Sequence, residues 1–186
     1  MAIRIVLVLA AMMTFYGCGQ SSSAPEQGEK EDVEKAVKEK KPEGVKVYDV
    51  GPPNQHTEEE VDYERSPPVG GEHNPVWQNA GFYEQPVRDE NAVHTLEHGA
   101  VWITYQPDLL DSDREFLASL ADGQQYMLIS PYPGLEDPVV ASAWGAQLRL
   151  DNVNDPRLQA FIDRYAGNGP ERGATCDTGV ETTLPG

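Results

Sequence analysis

The stretch Val93-His94-Thr95-Leu96-Glu97-His98-Gly99-Ala100-Val101-Trp102-Ile103-Thr104-Tyr105 decides how this 186-residue chain folds. Its second half is an unbroken run of apolar, β-branched and aromatic residues ended by Pro107, which predicts a buried strand. Its first half places two imidazoles four residues apart around a carboxylate. On a helix, positions i and i+4 share a face, whereas on a strand they lie about 13 Å apart. Convergence of His94 and His98 therefore requires local helicity. Asp89 and Asn91 supply caps and Gly99 a stop, so about two helical turns are expected to lead straight into the strand.

Downstream the texture is regular. Asp111 to Ala121 has helical spacing through Phe116, Leu117 and Leu120, with Asp111 or Ser112 as cap. Tyr126 to Ser130 reads as the next strand, Pro138 to Trp144 and Ala146 to Leu150 as one or two more. Asp155-Pro156 opens a last amphipathic helix through Leu158, Phe161, Ile162 and Tyr165, closed by Gly167. This order predicts an α+β domain: a small mixed sheet with two or three helices. Upstream, Val45 to Tyr48 alternates like a first strand. Between it and Asp89 lie Gly51-Pro52-Pro53, the acidic stretch 58–62, Ser66-Pro67-Pro68-Val69-Gly70-Gly71 and the aromatic-rich 74–83. These predict long structured N-terminal loops, too aromatic for disorder.

The first residues carry one positive charge at Arg4, an apolar run from Ile5 to Met13, and then Phe15-Tyr16-Gly17-Cys18. That is a signal peptide over 1–17, too short for a membrane span. Gly17-Cys18 resembles the lipobox of bacterial lipoproteins, which implies a lipidated Cys18; Phe15 and Tyr16 depart from that pattern. The segment 18–44, Ser-rich and then dense in Glu and Lys, reads as a disordered charged tether. A single globular domain over 45–176 and a flexible tail over 177–186 complete the division. The expected location is the cell membrane or outer membrane, with the domain facing the periplasm or the cell exterior.

A formal charge of -17 excludes a nucleic-acid partner, since no basic patch is present to meet a phosphate backbone. With Cys18 lipidated, Cys176 is the one remaining thiol, so the mature monomer holds no disulfide. Cys176 is then an inert thiol, a metal ligand or an intermolecular partner.

All four histidines lie between His56 and His98. His73 follows a Pro and Gly loop that can fix an imidazole in place, which makes it a third nitrogen beside His94 and His98. His56, in a polar acidic approach, is read as solvated, with a fourth nitrogen as the alternative. Met127, mid-strand beside Tyr126, reads as core or as a soft thioether ligand. Three imidazoles suit zinc or copper, and an added thioether tilts the set toward Cu(I). Glu97 has two readings: an acceptor that orients an imidazole N–H, or a general base. His94-Thr95-Leu96-Glu97-His98 fits the inverzincin pattern H-x-x-E-H, whose third carboxylate ligand here would be Glu136 or Glu171. The aromatics Trp77, Phe82, Tyr83, Trp102 and Trp144 read as core, with site walls as the alternative.

The segments Tyr63 with Pro67 to His73, Gly81-Phe82-Tyr83, and Val93 to Gly99 with Val101 and Tyr105 resemble the bacterial domain-of-unknown-function family 3105. Trp144-Gly145, Phe161, Tyr165 and Pro170-Glu171 before Cys176 fit the same pattern. The resemblance runs roughly from Val45 to Cys176 and centres on His-Xaa-Leu-Glu-His-Gly. It departs at Gly70, where the pattern has Ser. It implies an envelope setting and no particular reaction.

The expectation is thus an exported lipoprotein domain that binds copper, with zinc as the alternative, through His73, His94, His98 and Met127, supported by Glu97. Its work would be metal storage, delivery or sensing, with the membrane reached through the lipid anchor and the protein partner unknown. A small zinc metallohydrolase with Glu97 as base, and a metal-free interaction module, are the competing classes.

Overall fold

The computed structural model describes residues 41–185. Among them, in chain order, are β1 (Lys46–Val47), β2 (Gly81–Phe82), α1 (Asp89–Glu97), β3 (Val101–Tyr105), α2 (Asp111–Ala121), β4 (Met127–Pro131), β5 (Val139–Ala143), β6 (Ala146–Leu150) and α3 (Pro156–Tyr165). The strands form one mixed sheet in the order β1-β6-β5-β3-β4-β2. The expected α+β class is borne out. β3, α2 and β4 make a parallel crossover unit, while β5 and β6 return antiparallel through a tight turn at Gly145.

The sheet separates two cores because alternate residues of a strand face opposite sides. Val101, Ile103 and Tyr105 of β3, with Met127 and Ile129 of β4, meet Leu117 of α2 and Leu158 and Phe161 of α3. On the other side Trp102 and Leu128 meet Ala92 and Leu96, the two sheet-facing positions of α1. Helices therefore cover both faces. The indole N–H of Trp102 donates to the Ser130 hydroxyl at 3.0 Å, so its burial leaves no donor unmet.

α1 is mostly polar, yet nearly every residue is buried, including Glu90, Asn91, His94, Thr95 and Glu97. Such a helix must find partners for its side chains outside the sheet. The long loops provide them. Asn91 Nδ2 donates to the Val76 carbonyl at 2.6 Å, Thr95 Oγ1 to the Gln78 carbonyl at 2.7 Å, and the Val61 N–H to Glu90 Oε1 at 2.9 Å. The loops are thus a second layer over α1.

Two expected helix caps are corrected. Arg88 stands at the α1 cap and Leu110 at the α2 cap, neither with a side-chain bond. Asp89 is already helical and accepts from the Tyr132 hydroxyl instead. The cap at Asp155 holds: its side chain accepts from the Arg157 N–H, with Pro156 directly after it. Part of the segment after Cys176 touches the loops. Val180 bridges to Gln78, and the Leu184 N–H donates to the Pro86 carbonyl at 2.7 Å, so the segment lies on the loop layer. The signal peptide, Cys18 and most of the tether fall outside the described residues. Among the described residues no helix is long and apolar enough to cross a membrane.

Candidate metal centre

Helix α1 brings His94, Glu97 and His98 to the side facing the loops. Gly99 ends it in a left-handed conformation (φ 104°), and the chain at Gly169 crosses there so closely that a Cβ on Gly169 would lie 2.2 Å from the Glu97 carbonyl oxygen. Only two glycines allow this crossing. It is held by bonds from the Gly167 N–H to the Gly99 carbonyl and from the Glu171 N–H to the Glu97 carbonyl. Glu171 is delivered next to His98 as a result, their side chains 3.4 Å apart.

His73 is placed by the proline loop. Pro67, Pro68 and Val69 are buried, and the Pro67 and Val69 carbonyls accept from Gln147 Nε2 at 3.0 Å and the Gly145 N–H at 2.7 Å. Beyond the loop, the His73 N–H donates to Gln55 and the Thr57 N–H to the His73 carbonyl, a short parallel bridge that sets His56 beside His73. The rings of His56, His73 and His94 then form a triangle with every centroid pair 4.9 Å apart.

The ring orientations are fixed from behind. Nδ1 of His73 faces the Gly71 carbonyl at 2.8 Å, that of His94 the Asn74 carbonyl at 2.6 Å, and that of His98 the Thr175 carbonyl at 2.7 Å. A carbonyl only accepts, so each Nδ1 carries a proton, which leaves Nε2 as the atom of each ring that can bind an ion. Burial, with the neighbouring imidazoles adding to it against the bond to Asn74, pushes His94 down to about 4. It is therefore neutral at pH 7, as a ligand must be.

Glu97 is fully buried among these nitrogens. Its Oε1 accepts from the Asn54 N–H at 2.6 Å, and its Oε2 lies 3.1 Å from His73 Nε2 and 3.8 Å from His56 Nε2. Carboxylate and imidazole lone pairs facing each other need a positive charge between them, a proton or a metal ion. Two donor groups result. One is His56, His73, His94 and Glu97; the other is His94, His98 and Glu171; in each, one ligand atom per residue lies within 4.8 Å of all the others.

The expected ligands divide accordingly. His73 and His94 come together; His98 lies on the second group, and the expected common set of the three is replaced by two groups that share His94. His56, read as solvated, joins the first group while keeping 39% of its side chain exposed. Main-chain carbonyls, not Glu97, face the Nδ1 atoms of His73, His94 and His98, and Glu97 lies within the first group. Of its two readings Met127 takes the core one, and its place in the ligand set is dropped: it faces the core under α2 and α3, on the side of the sheet away from α1. Cys176 belongs to neither group, and burial together with Asp177 pushes its thiol up to about 12. Trp77 packs against His94 and His98 at centroid distances of 5.5 and 4.6 Å, and Trp144 against His73 at 5.8 Å, so these two aromatics are walls. Phe82 stacks on Tyr105 and is core.

Residues 54–178 match the family described as protein of unknown function (DUF3105). The chain belongs to this family. No curated protein and no solved structure matches it. The DUF3105 region starts at Asn54, whose N–H holds Glu97, and runs past Glu171, so it contains every residue of both donor groups and leaves β1 outside.

Proposed function

We propose that this domain binds one divalent transition-metal ion through His56, His73, His94 and Glu97, copper(II) before zinc, on an exported and lipid-anchored chain that stores or delivers the ion. The observation that carries the reading is the convergence of three imidazoles on a buried carboxylate with the His73 and His94 rings locked, Nε2 inward, by main-chain carbonyls. Three nitrogens and one oxygen form a borderline set that suits Cu(II) or Zn(II). With Met127 on the far side of the sheet, the case for Cu(I) loses its thioether. Copper(II) stands first because it heads the affinity order for such sites.

Competition titration of Cu(II) and Zn(II) against a chromophoric chelator tests this. One equivalent bound by the wild type, with affinity lowered at least about tenfold by His73→Ala and by His94→Ala, is the expected result. Unchanged affinity in both variants overturns it and leaves a proton between His73 and Glu97, the metal-free reading.

A second reading is favoured by one observation: Glu171 joins His94 and His98, which completes the ligand pattern of a zinc hydrolase with Glu97 as base. Against it, both Glu97 oxygens are engaged, one by the Asn54 N–H and the other by His73. A base needs a free oxygen aimed at the attacking water.

A further inference from the structure

We infer that His98 and Glu171 form, together with His94, an outer position for the ion that the inner set holds, and that His94 passes the ion between the two. This rests on the metal-binding reading above and assigns a role to the second donor group. The two groups share one imidazole, and that imidazole has one usable nitrogen, because His94 Nδ1 is tied to the Asn74 carbonyl. The positions are therefore alternatives for a single ion, and only one is filled at a time.

They differ in what holds them. The inner set has four ligands, with His73, His94 and Glu97 buried. The outer set has three, and its carboxylate, Glu171, is 47% exposed at the side chain while His98 is buried at its edge. More ligands and less water make the inner position the tighter one. An ion captured by Glu171 and His98 stays bonded to His94 Nε2 while Glu97, His73 and His56 take over from the two outer ligands. No bare ion has to form on the way, which is the costly step in moving a metal through a protein. Each position offers one carboxylate, so the ion meets the same ligand charge at both ends.

The test uses the full chain and Cu(II). Stoichiometry and affinity come from competition titration, and the rate of transfer to excess chelator comes from stopped-flow tryptophan fluorescence, Trp77 lying on both His94 and His98. The wild type is expected to saturate at one equivalent. Glu171→Gln, a change at an exposed side chain, is expected to keep that equivalent and its affinity while slowing transfer about tenfold or more. Loading slows by the same factor, because a step that leaves the equilibrium unchanged affects both directions equally. His98→Gln gives the same pattern. Two equivalents at saturation, an unchanged transfer rate, or an affinity loss as large as that of His73→Ala overturns the inference while metal binding itself stands. Absence of binding by the wild type overturns both.

Discussion

His73 Nε2 lies 3.1 Å from Glu97 Oε2, with both side chains fully buried. A buried carboxylate in that position has one of three roles: ligand, base, or partner of an imidazolium. Glu97→Gln separates them. The amide oxygen still accepts from the Asn54 N–H, so the fold survives. As a ligand, Glu97 predicts metal affinity lowered at least about tenfold. Affinity kept with turnover lost would make it a base, and affinity kept with the apoprotein destabilised would make it an ion-pair partner.

Gly70 brings the proline loop before His73 close to Val50. Its φ is 145°, and a Cβ there would lie 2.7 Å from Val50 Cγ2. Gly70→Ser is expected to cost about 1–3 kcal/mol by chemical denaturation, and Val50→Ala in the same background to recover part of it. A neutral Gly70→Ser would mean that the proline loop before His73 adjusts freely.

Met127→Leu is expected to leave metal affinity unchanged and to cost less than about 1.5 kcal/mol, as volume-conserving core changes do. Lowered Cu(I) affinity in this variant would return the thioether to the ligand set.

The elements set by local pattern were legible in the sequence. α1 followed from the i, i+4 histidines and Gly99, β3 from its apolar run, and α3 from Asp155-Pro156. What escaped depends on contacts that leave no period. His56 reaches the cluster through two main-chain bonds between a polar loop and His73. Met127 kept two readings, core and ligand, because only the packing of Ala92 and Leu96 on Leu128 reveals which parity of β4 faces α1. Glu171 was a bare candidate downstream; the contact of Gly99 with Gly169 puts it at His98.

Away from the centre, Asp89 is pushed up to about 6 by burial, with the Tyr132 hydroxyl opposing and Glu90 adding. Its folded value exceeds the unfolded one, so the unfolded chain releases the proton first as pH rises. The stability owed to Asp89 therefore falls between about pH 4 and pH 6 and stays lower above that, by at most about 3 kcal/mol. Urea denaturation of Asp89→Asn and wild type should show the variant gaining on the wild type across this window. A difference that does not change with pH would contradict the upward shift of Asp89.

X-ray absorption at the copper edge, on the full chain purified without a histidine tag and loaded with one equivalent of Cu(II), tests the central claim most directly. The account predicts a first shell of nitrogen and oxygen at about 2.0 Å with the outer-shell scattering of about three imidazoles. A sulfur shell near 2.3 Å, or oxygen neighbours without imidazole scattering, would contradict it.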